Sequence, residues 1–467
     1  MIKALSLSQV AGPMGARVIG DDASFTRVST DTRTIQSGDL FVALKGENFD
    51  GHRFVASAIA QGAVAAVVSN PVEGVEAPQL LVADTTRALG DLGRINREAY
   101  TGILLALTGS CGKTTVKEML SVILQQHSQV AVTRGNLNNH IGAPQTLLAI
   151  EPGDEYAVVE LGASGMGEID YLASLAQPQV SLVNNVAAAH LEGFGSEDGV
   201  AEEKSKIYRH LRQGGVAVVN GDDRYAPGWL EWLAEDRPDV KVMRFSTSAT
   251  DSDCYASNVT LESSGGYAFD LTIGDETGRV CLPVMGKQNV ANALAAACCA
   301  YAAGISLAHI VTGLESVTAV KGRMQARRVS DDLLVIDDSY NANPGSVLAA
   351  AQVLMDFDRQ GKKVTLVLGN LAELGVRRLE ALRKLGQDLR RLGVPSLVVV
   401  SDNAAAIAEG FAEGATANQS VRRFANKQQA QNFLKSQLWS ESVILIKGSR
   451  SAHMEDVVKS LTTNEDN

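Results

Sequence analysis

Short, almost wholly apolar runs alternate with longer stretches that carry apolar residues at helical spacing, and this alternation limits what the chain can become. GILLALTG, EYAVVELG and VSLVNNV are three such runs between residues 102 and 186. A strand apolar on both faces must be covered on both, and strands joined through helices run parallel. The pattern predicts a mostly parallel sheet between helical layers. It restarts in the last third with LLVIDDSY, NPGSVLAAAQVLMDF, KVTLVLGN, SLVVVSD and SVILIKGSR, which predicts a second doubly wound unit. Residues 254–284 instead alternate with period two around Gly-Gly and Asp-Glu-Thr-Gly turns, as an antiparallel insertion or edge does.

At 467 residues and 45% hydrophobic composition the chain can bury more than one core. A formal charge of -11 argues against a general nucleic-acid surface, so any anion site has to be local. The five cysteines form no C-x-x-C pair, and Cys298 and Cys299 fall in the alanine-rich run NALAAACCAYAA, a buried helix in pattern. Reduced thiols and a cytoplasmic protein are expected. No apolar run reaches membrane-spanning length, and the first residues lack a signal-peptide core, so no integral membrane association is expected.

The turn after ILLAL is rich in glycine. Gly109, Ser110, Cys111, Gly112, Lys113, Thr114 and Thr115 lead into TTVKEMLSVILQQH, a helix in pattern. Glycines let backbone amides turn toward an anion, a helix start adds unpaired N–H groups, Lys113 adds charge, and the Thr114 hydroxyl suits Mg2+. The full G-x-x-x-x-G-K-[ST] spacing is absent, because Leu107 stands at its first glycine. A phosphate loop and an ordinary glycine-rich strand-to-helix turn both fit the shorter pattern. Glu160, at the end of the next strand, can hold Mg2+ beside Thr114 or cap a helix. His190 and Lys204, taken singly, read as a structural loop histidine and a solvated helix charge. Glu202, Glu203 and Lys206 read as surface charges of the same helix.

The expected fold class is α/β with three domains. Residues 1–84 form a small N-terminal α/β cap, 85–318 a central, mostly parallel P-loop ATPase-like sheet, and 319–467 a C-terminal Rossmann-like doubly wound domain.

TGSCGKTT, ELGASGMGEID, NNVAAAHLEGFGS followed by AEEK, GKQNVANALAA, GRMQ, DDSYNANPGS and KGSR, in this order, resemble the Mur ligases over nearly the whole chain. Members of that family are ATP-dependent enzymes that form the amide bonds of peptidoglycan precursors. The resemblance implies transfer of the γ-phosphoryl of ATP to a carboxylate, followed by attack of an amine on the acyl phosphate. Lys113, Glu160, His190 and Lys204 are its candidate catalytic residues. Two Mg2+ ions are implied, with Thr114, Glu160, His190 and Lys204 as candidate metal residues, Lys204 as a CO2-derived carbamate. The resemblance assigns Asn289 and Asn292 to the adenine and ribose end of ATP, Arg323 to its phosphates and Asp338 to its ribose. Ser29, Thr30, Asp31, Thr32, Arg33, Lys45, Gly46, Asp50 and His52 are candidates for the UDP end of a nucleotide-sugar substrate.

Asn138, Asn139 and His140 are candidates for the muramoyl peptide, and Tyr340, Asn341 and Asn343 complete the substrate set. TRGNLNNHIGAPQTLL, DDSYNANP and KGSRSAHME resemble the members that join D-alanyl-D-alanine (D-Ala-D-Ala) to UDP-N-acetylmuramoyl-tripeptide (UDP-MurNAc-tripeptide). Those two small molecules are the expected partners of a monomeric chain. Gln288 replaces the family's usual histidine, and Asn370 stands where an aspartate is common. Addition of lysine or diaminopimelate to the dipeptide precursor, folylpolyglutamate synthesis, and a phosphate-loop switch acting on a protein partner remain alternatives. A switch leaves the polar loop of the first domain, His190 and Lys204 without a task.

Overall fold

The strand Ile103–Thr108 lies inside a sheet with neighbours on both sides, which explains why its run is apolar throughout. The computed structural model describes residues 1–462 apart from 47, 188–189, 263–264, 373, 375–376, 402–403 and 438. Among them, nine strands make the central sheet. Its order is Val130–Val132, Tyr156–Glu160, Ile103–Thr108, Val180–Val183, Val216–Asn220, Lys241–Ser246, Cys254–Leu261, Tyr267–Ile273 and Glu276–Leu282. The first seven pair in parallel and the last two antiparallel, so the period-two segment is the expected edge.

From Ile103–Thr108 the chain moves to two strands on one side and then crosses to Val180–Val183 on the other. At such a reversal the carboxyl ends of adjacent strands open a crevice. Register sets Leu107 opposite Glu160 and Thr108 opposite Val183, so the glycine turn, Glu160 and Asn184 share that crevice.

Two helices cover the sheet behind the turn. Lys113–Gln125 buries Val116, Met119, Leu120, Ile123 and Leu124, the one-sided spacing that makes a helix amphipathic. Gln288–Ala302 is buried almost all round, including Cys298 and Cys299, because its alanines allow close approach to the first helix.

The C-terminal sheet has the order Gln325–Ser330, Leu333–Asp338, Ser442–Lys447, Lys363–Leu368, Ser396–Val400 and Ser420–Phe424. Only its first pair is antiparallel. The N-terminal sheet runs Arg17–Ile19, Gln79–Leu81, Ala65–Val68, Asp39–Val42 and Arg27–Ser29, again antiparallel only in its first pair. The three-domain α/β expectation is met. No helix among the described residues is long and apolar enough to cross a membrane.

Helix Thr85–Ala99 joins the first sheet to the second. Ala88, Leu89 and Leu92 enter the N-terminal core, while Arg97 turns into the central domain with no exposed surface. Its guanidinium donates to Ala176 O at 2.7 Å, Gln177 O at 2.9 Å, Tyr100 O at 3.2 Å and Gln179 Oε1 at 2.8 Å. These four acceptors are neutral carbonyl oxygens, and burial draws the Arg97 pKa down to about 10. The third domain docks through Tyr267, whose hydroxyl donates to Asp356 Oδ2 at 2.9 Å, and through Met285, which enters the third domain's core.

Arg97→Met preserves the length of the side chain but removes the donor to three backbone carbonyls, two of them in fully buried contacts, and one of the two donors to Gln179 Oε1. A loss of about 3 kcal/mol is expected, seen as a lower urea midpoint for the transition that includes the central domain. An unchanged midpoint removes Arg97 as a structural tie.

Candidate active site

Gly112 precedes the helix Lys113–Gln125 with φ of +78°, and Gly109 has φ of +155°. A Cβ on Gly112 would strike Asn292 Oδ1 and stand 2.8 Å from Asn184 Nδ2, so sterics as well as backbone conformation call for glycine there. The Ser110 and Cys111 amides are already engaged, donating to Asn185 O at 2.9 Å and Asn185 Oδ1 at 2.8 Å. The amides of Lys113, Thr114 and Thr115 form the first turn and have no intrahelical acceptor, which leaves them for an anion. Lys113 folds back, its Nζ donating to Gly109 O at 2.6 Å. Burial pushes its pKa down, and Glu160 opposes that shift.

The turn opens into a cavity of about 780 Å3 between the central and C-terminal domains, a volume suited to a small-molecule ligand. At its floor the Thr114 hydroxyl donates to Glu160 Oε2 at 3.0 Å and accepts from Arg323 Nη2 at 3.0 Å. Glu160, 1% exposed, also accepts from Asn138 Nδ2 at 2.8 Å through its other oxygen. Buried Lys117 braces the segment leading to Asn138, donating to Thr133 O at 2.9 Å and Gly135 O at 3.3 Å. Thr133 Oγ1 in turn accepts from Glu160 N at 3.0 Å.

Among the described residues no three His, Cys, Asp or Glu side chains stand close enough to hold a metal ion by themselves. Thr114 and Glu160 nevertheless offer adjacent hard oxygens, and Mg2+ usually completes its shell with substrate phosphates and water. That pair fits the ion. His190 lines the same cavity, its ring edge-on to Phe194 with centroids 6.5 Å apart. Lys204 does not line the cavity. It lies behind the wall, 2% exposed, its ammonium 5.8 Å from the Phe194 ring centroid. Burial, helped by nearby Lys113, lowers its pKa to about 7. It is not the solvated helix charge that its local sequence allows.

Glu203 corrects a sequence expectation. Its side chain is fully buried and accepts from Ile169 N at 2.8 Å and Asp170 N at 3.3 Å, while Lys206 Nζ reaches it at 2.7 Å. It serves as a remote cap for the helix Glu168–Ala176, whose own N-cap, Gly167, has no side chain to do so. Lys206 is mostly buried with it, and only Glu202 is a surface charge.

Asn289 and Asn292 are both buried at the cavity edge. Asn289 Nδ2 donates to Met285 O at 2.7 Å, and Asn292 Nδ2 donates to Asn289 Oδ1 at 2.8 Å. Gln288 lines the cavity beside them. From the third domain, Arg323 lies over Tyr340, with Cζ 4.5 Å from the ring centroid. Asp338 accepts from Lys447 Nζ at 2.6 Å and from Met324 N at 3.2 Å. Tyr340, Asn341 and Asn343 line the wall, and Asn343 Nδ2 reaches Cys111 Sγ at 3.4 Å. Asn370 faces Arg378 Nη2 at 2.9 Å.

Asn139 lines the cavity while its Oδ1 accepts from Gly142 N at 2.9 Å, whereas His140 is exposed outside it. None of the first-domain candidates lines this cavity. Arg33 pairs with Asp31, whose carboxyl it holds down at a pKa of about 2. Lys45 and Gly46 pair as a strand with Asp50 and Phe49, and Asp50 Oδ1 meets His52 Nδ1 at 2.7 Å. Buried Ser29 bonds within the same loop, and Thr30 Oγ1 accepts from Gln145 Nε2 of the central domain at 2.9 Å. Thr32 begins the short helical turn between them.

Three family descriptions match the chain: "Mur ligase family, catalytic domain" over 24–96, "Mur ligase middle domain" over 107–300 and "Mur ligase, glutamate ligase domain" over 322–450. The UDP-N-acetylmuramoyl-tripeptide–D-alanyl-D-alanine ligase of Escherichia coli (strain K12) is 42% identical over 464 residues, 98% of this chain and 99% of the relative. The chain belongs to the Mur ligase family. Among solved Mur ligases, MurF from Acinetobacter baumannii superposes with a TM-score of 0.89 at 38% identity, covering 99% of each chain. The Thermotoga maritima MurF ligase in complex with ADP superposes at 0.81 with 27% identity, covering 93% of this chain and 97% of that one.

Sequence reasoning gave no role in this Mur ligase site to Asn184, Asn185, Lys117, Glu203 or Lys447. Asn184 and Asn185 immediately follow an apolar strand, the place where α/β sheets present ligand-facing groups, and that signal was available. Lys117 sits on the buried stripe of its helix, a charged residue where the pattern demands an apolar one. Glu203→Ala should leave two helix-start amides and Lys206 without their acceptor, costing about 3 kcal/mol. Chemical denaturation of the variant measures it, and wild-type stability would show that Glu203 is not the cap.

Proposed function

We propose that this chain is an ATP-dependent ligase that joins D-Ala-D-Ala to UDP-MurNAc-tripeptide, releasing ADP and phosphate, in peptidoglycan precursor synthesis. The observation that carries the reading is the junction at Thr114, where a first-turn hydroxyl, a buried carboxylate and an arginine from another domain meet on one cavity. Full-length relatives named for this reaction support the choice of substrates, as does ADP in the Thermotoga maritima relative. Ala342, Gly345, Ala349, Ala350 and Ala372 stand in the third-domain wall beside the polar Tyr340, Asn341 and Asn343, and their small side chains leave room that suits an alanine dipeptide.

A carboxylate is a poor electrophile. In the proposed course its oxygen attacks the γ-phosphorus of ATP, the bond to ADP breaks, and an acyl phosphate results. The amine of D-Ala-D-Ala then attacks the acyl carbon, loses a proton, and phosphate departs. First-turn amides and Lys113, released from Gly109 O, hold the phosphates, while Arg323 adds charge from the closing domain. Thr114 and Glu160 would hold Mg2+, which would supply positive charge against the phosphates. His190 and a carbamate on Lys204 are proposed for a second ion: an ammonium repels a cation, whereas a carbamate offers the oxygens magnesium prefers.

Asn289, Asn292 and Asp338 are proposed for the base and ribose. Residues 29–33 with Lys45, Gly46, Asp50 and His52 are proposed for the UDP end, and Asn139, Tyr340, Asn341 and Asn343 for the peptides. Asn138, which also lines the cavity, is proposed with them, its Nδ2 meanwhile holding Glu160. The chain is proposed to act as a cytoplasmic monomer.

The deciding assay offers ATP and UDP-MurNAc-tripeptide with D-Ala-D-Ala, lysine or diaminopimelate and records product mass and ADP. Only D-Ala-D-Ala should yield a new amide, with ADP released only when both substrates are present. ADP formed from ATP alone at the same rate overturns the ligase reading.

Carbamate formation needs the free amine, so activity should fall as pH drops through the Lys204 pKa of about 7 and rise with added bicarbonate. Lys204→Ala should lose at least about a hundredfold in kcat, recovered in part by short carboxylic acids. Full activity of the variant excludes the carbamate.

A further inference from the structure

Beneath the glycine turn, asparagine amides form a chain whose donors all point the same way. Asn220 Nδ2 donates to Asn184 O at 2.8 Å, and Asn184 Nδ2 donates to Asn292 Oδ1 at 3.0 Å. The chain continues from Asn292 Nδ2 to Asn289 Oδ1 and from Asn289 Nδ2 to Met285 O. All four asparagines are buried. Hydrogen bonds aligned in one direction polarise one another, and in a buried setting their geometry is held tightly.

The chain also grips the turn. Asn184 Nδ2 donates to Cys111 O at 2.9 Å, and Asn185 Nδ2 donates to the same carbonyl at 2.9 Å while Asn185 Oδ1 accepts from Cys111 N at 2.8 Å. The Cys111 residue is thus clamped at both its N–H and its carbonyl. The next peptide leads into Gly112, whose missing side chain leaves room for Asn292 and Asn184. A shift of Asn292 is therefore passed through its hydrogen bond with Asn184 to the segment that aims the first-turn amides.

We propose that Asn184 is a positioning residue which couples the Asn289 and Asn292 end of the cavity to the phosphate-facing turn, so that occupation of one end sets the geometry of the other. This rests on the nucleotide site proposed above. A base and ribose seated against the helix Gln288–Ala302 fix Asn292, Asn292 fixes Asn184, and Asn184 with Asn185 fixes the Cys111 carbonyl. The turn then presents its amides without paying for their ordering when phosphate arrives.

The test uses the full-length chain as wild type, Asn184→Ala, Asn292→Ala and the double variant, each titrated with ADP and with inorganic tripolyphosphate, which has neither base nor ribose. Each single variant is expected to weaken ADP about tenfold, and the double variant by well under the hundredfold that independent sites give. Asn292→Ala is also expected to weaken tripolyphosphate several-fold, a loss that a contact made only to base or ribose does not produce. Additive losses for ADP, or tripolyphosphate affinity in Asn292→Ala equal to wild type, overturn the coupling. If Asn184→Ala does not fold, the tripolyphosphate titration of Asn292→Ala decides alone. Wild-type protein that binds neither ligand overturns the nucleotide site itself, a distinct failure.

Discussion

One hydroxyl group joins two domains of this protein. Thr114 Oγ1 donates a hydrogen bond to Glu160 and accepts one from Arg323. A hydroxyl has one donor and two acceptor positions, so both contacts are satisfied together and fix its rotation. The crevice at the sheet reversal, the approach of the third domain and the orientation of the buried carboxylate all converge on that atom. An anion or cation entering the cavity meets groups already aimed, and the cost of arranging them has been met in folding.

The polar groups around this junction are matched almost throughout. Asp338 has Lys447, Glu203 has two amides and Lys206, and Glu160 has Thr114 and Asn138. Breaking one partner of such a set leaves a buried charge uncompensated, which is the expensive outcome in a low-dielectric interior. Lys204 stands apart. Its amine is buried over an aromatic ring and has lost much of its preference for the charged form. Such burial favours the neutral amine over the ammonium.

The apolar runs made the sheets readable, because strands covered on both faces leave a signature that needs no tertiary information. The glycine turn and Glu160 were readable for a related reason: both lie at strand ends, where α/β folds carry their chemistry. Glu203 was not. Its neighbours are charged and its helix has no strong apolar face, so the sequence gives no sign that an uncapped helix start would be set against it. Asn138, a cavity-lining residue, also donates to Glu160, and Lys117 braces the segment before it, relations between residues that no local pattern encodes. His140, beside it, points away from the cavity wall.

Arg97 gives the junction of the first two domains an unusual indifference to acid. Ion pairs that clamp domains fail when their carboxylates take up protons, but a guanidinium held by peptide and side-chain carbonyls has no titrating acceptor to lose. The first domain is thus fastened to the central one by a clasp that survives conditions in which surface charge pairing has gone. The C-terminal domain is held differently, with the Tyr267 hydroxyl donating to a carboxylate oxygen of Asp356.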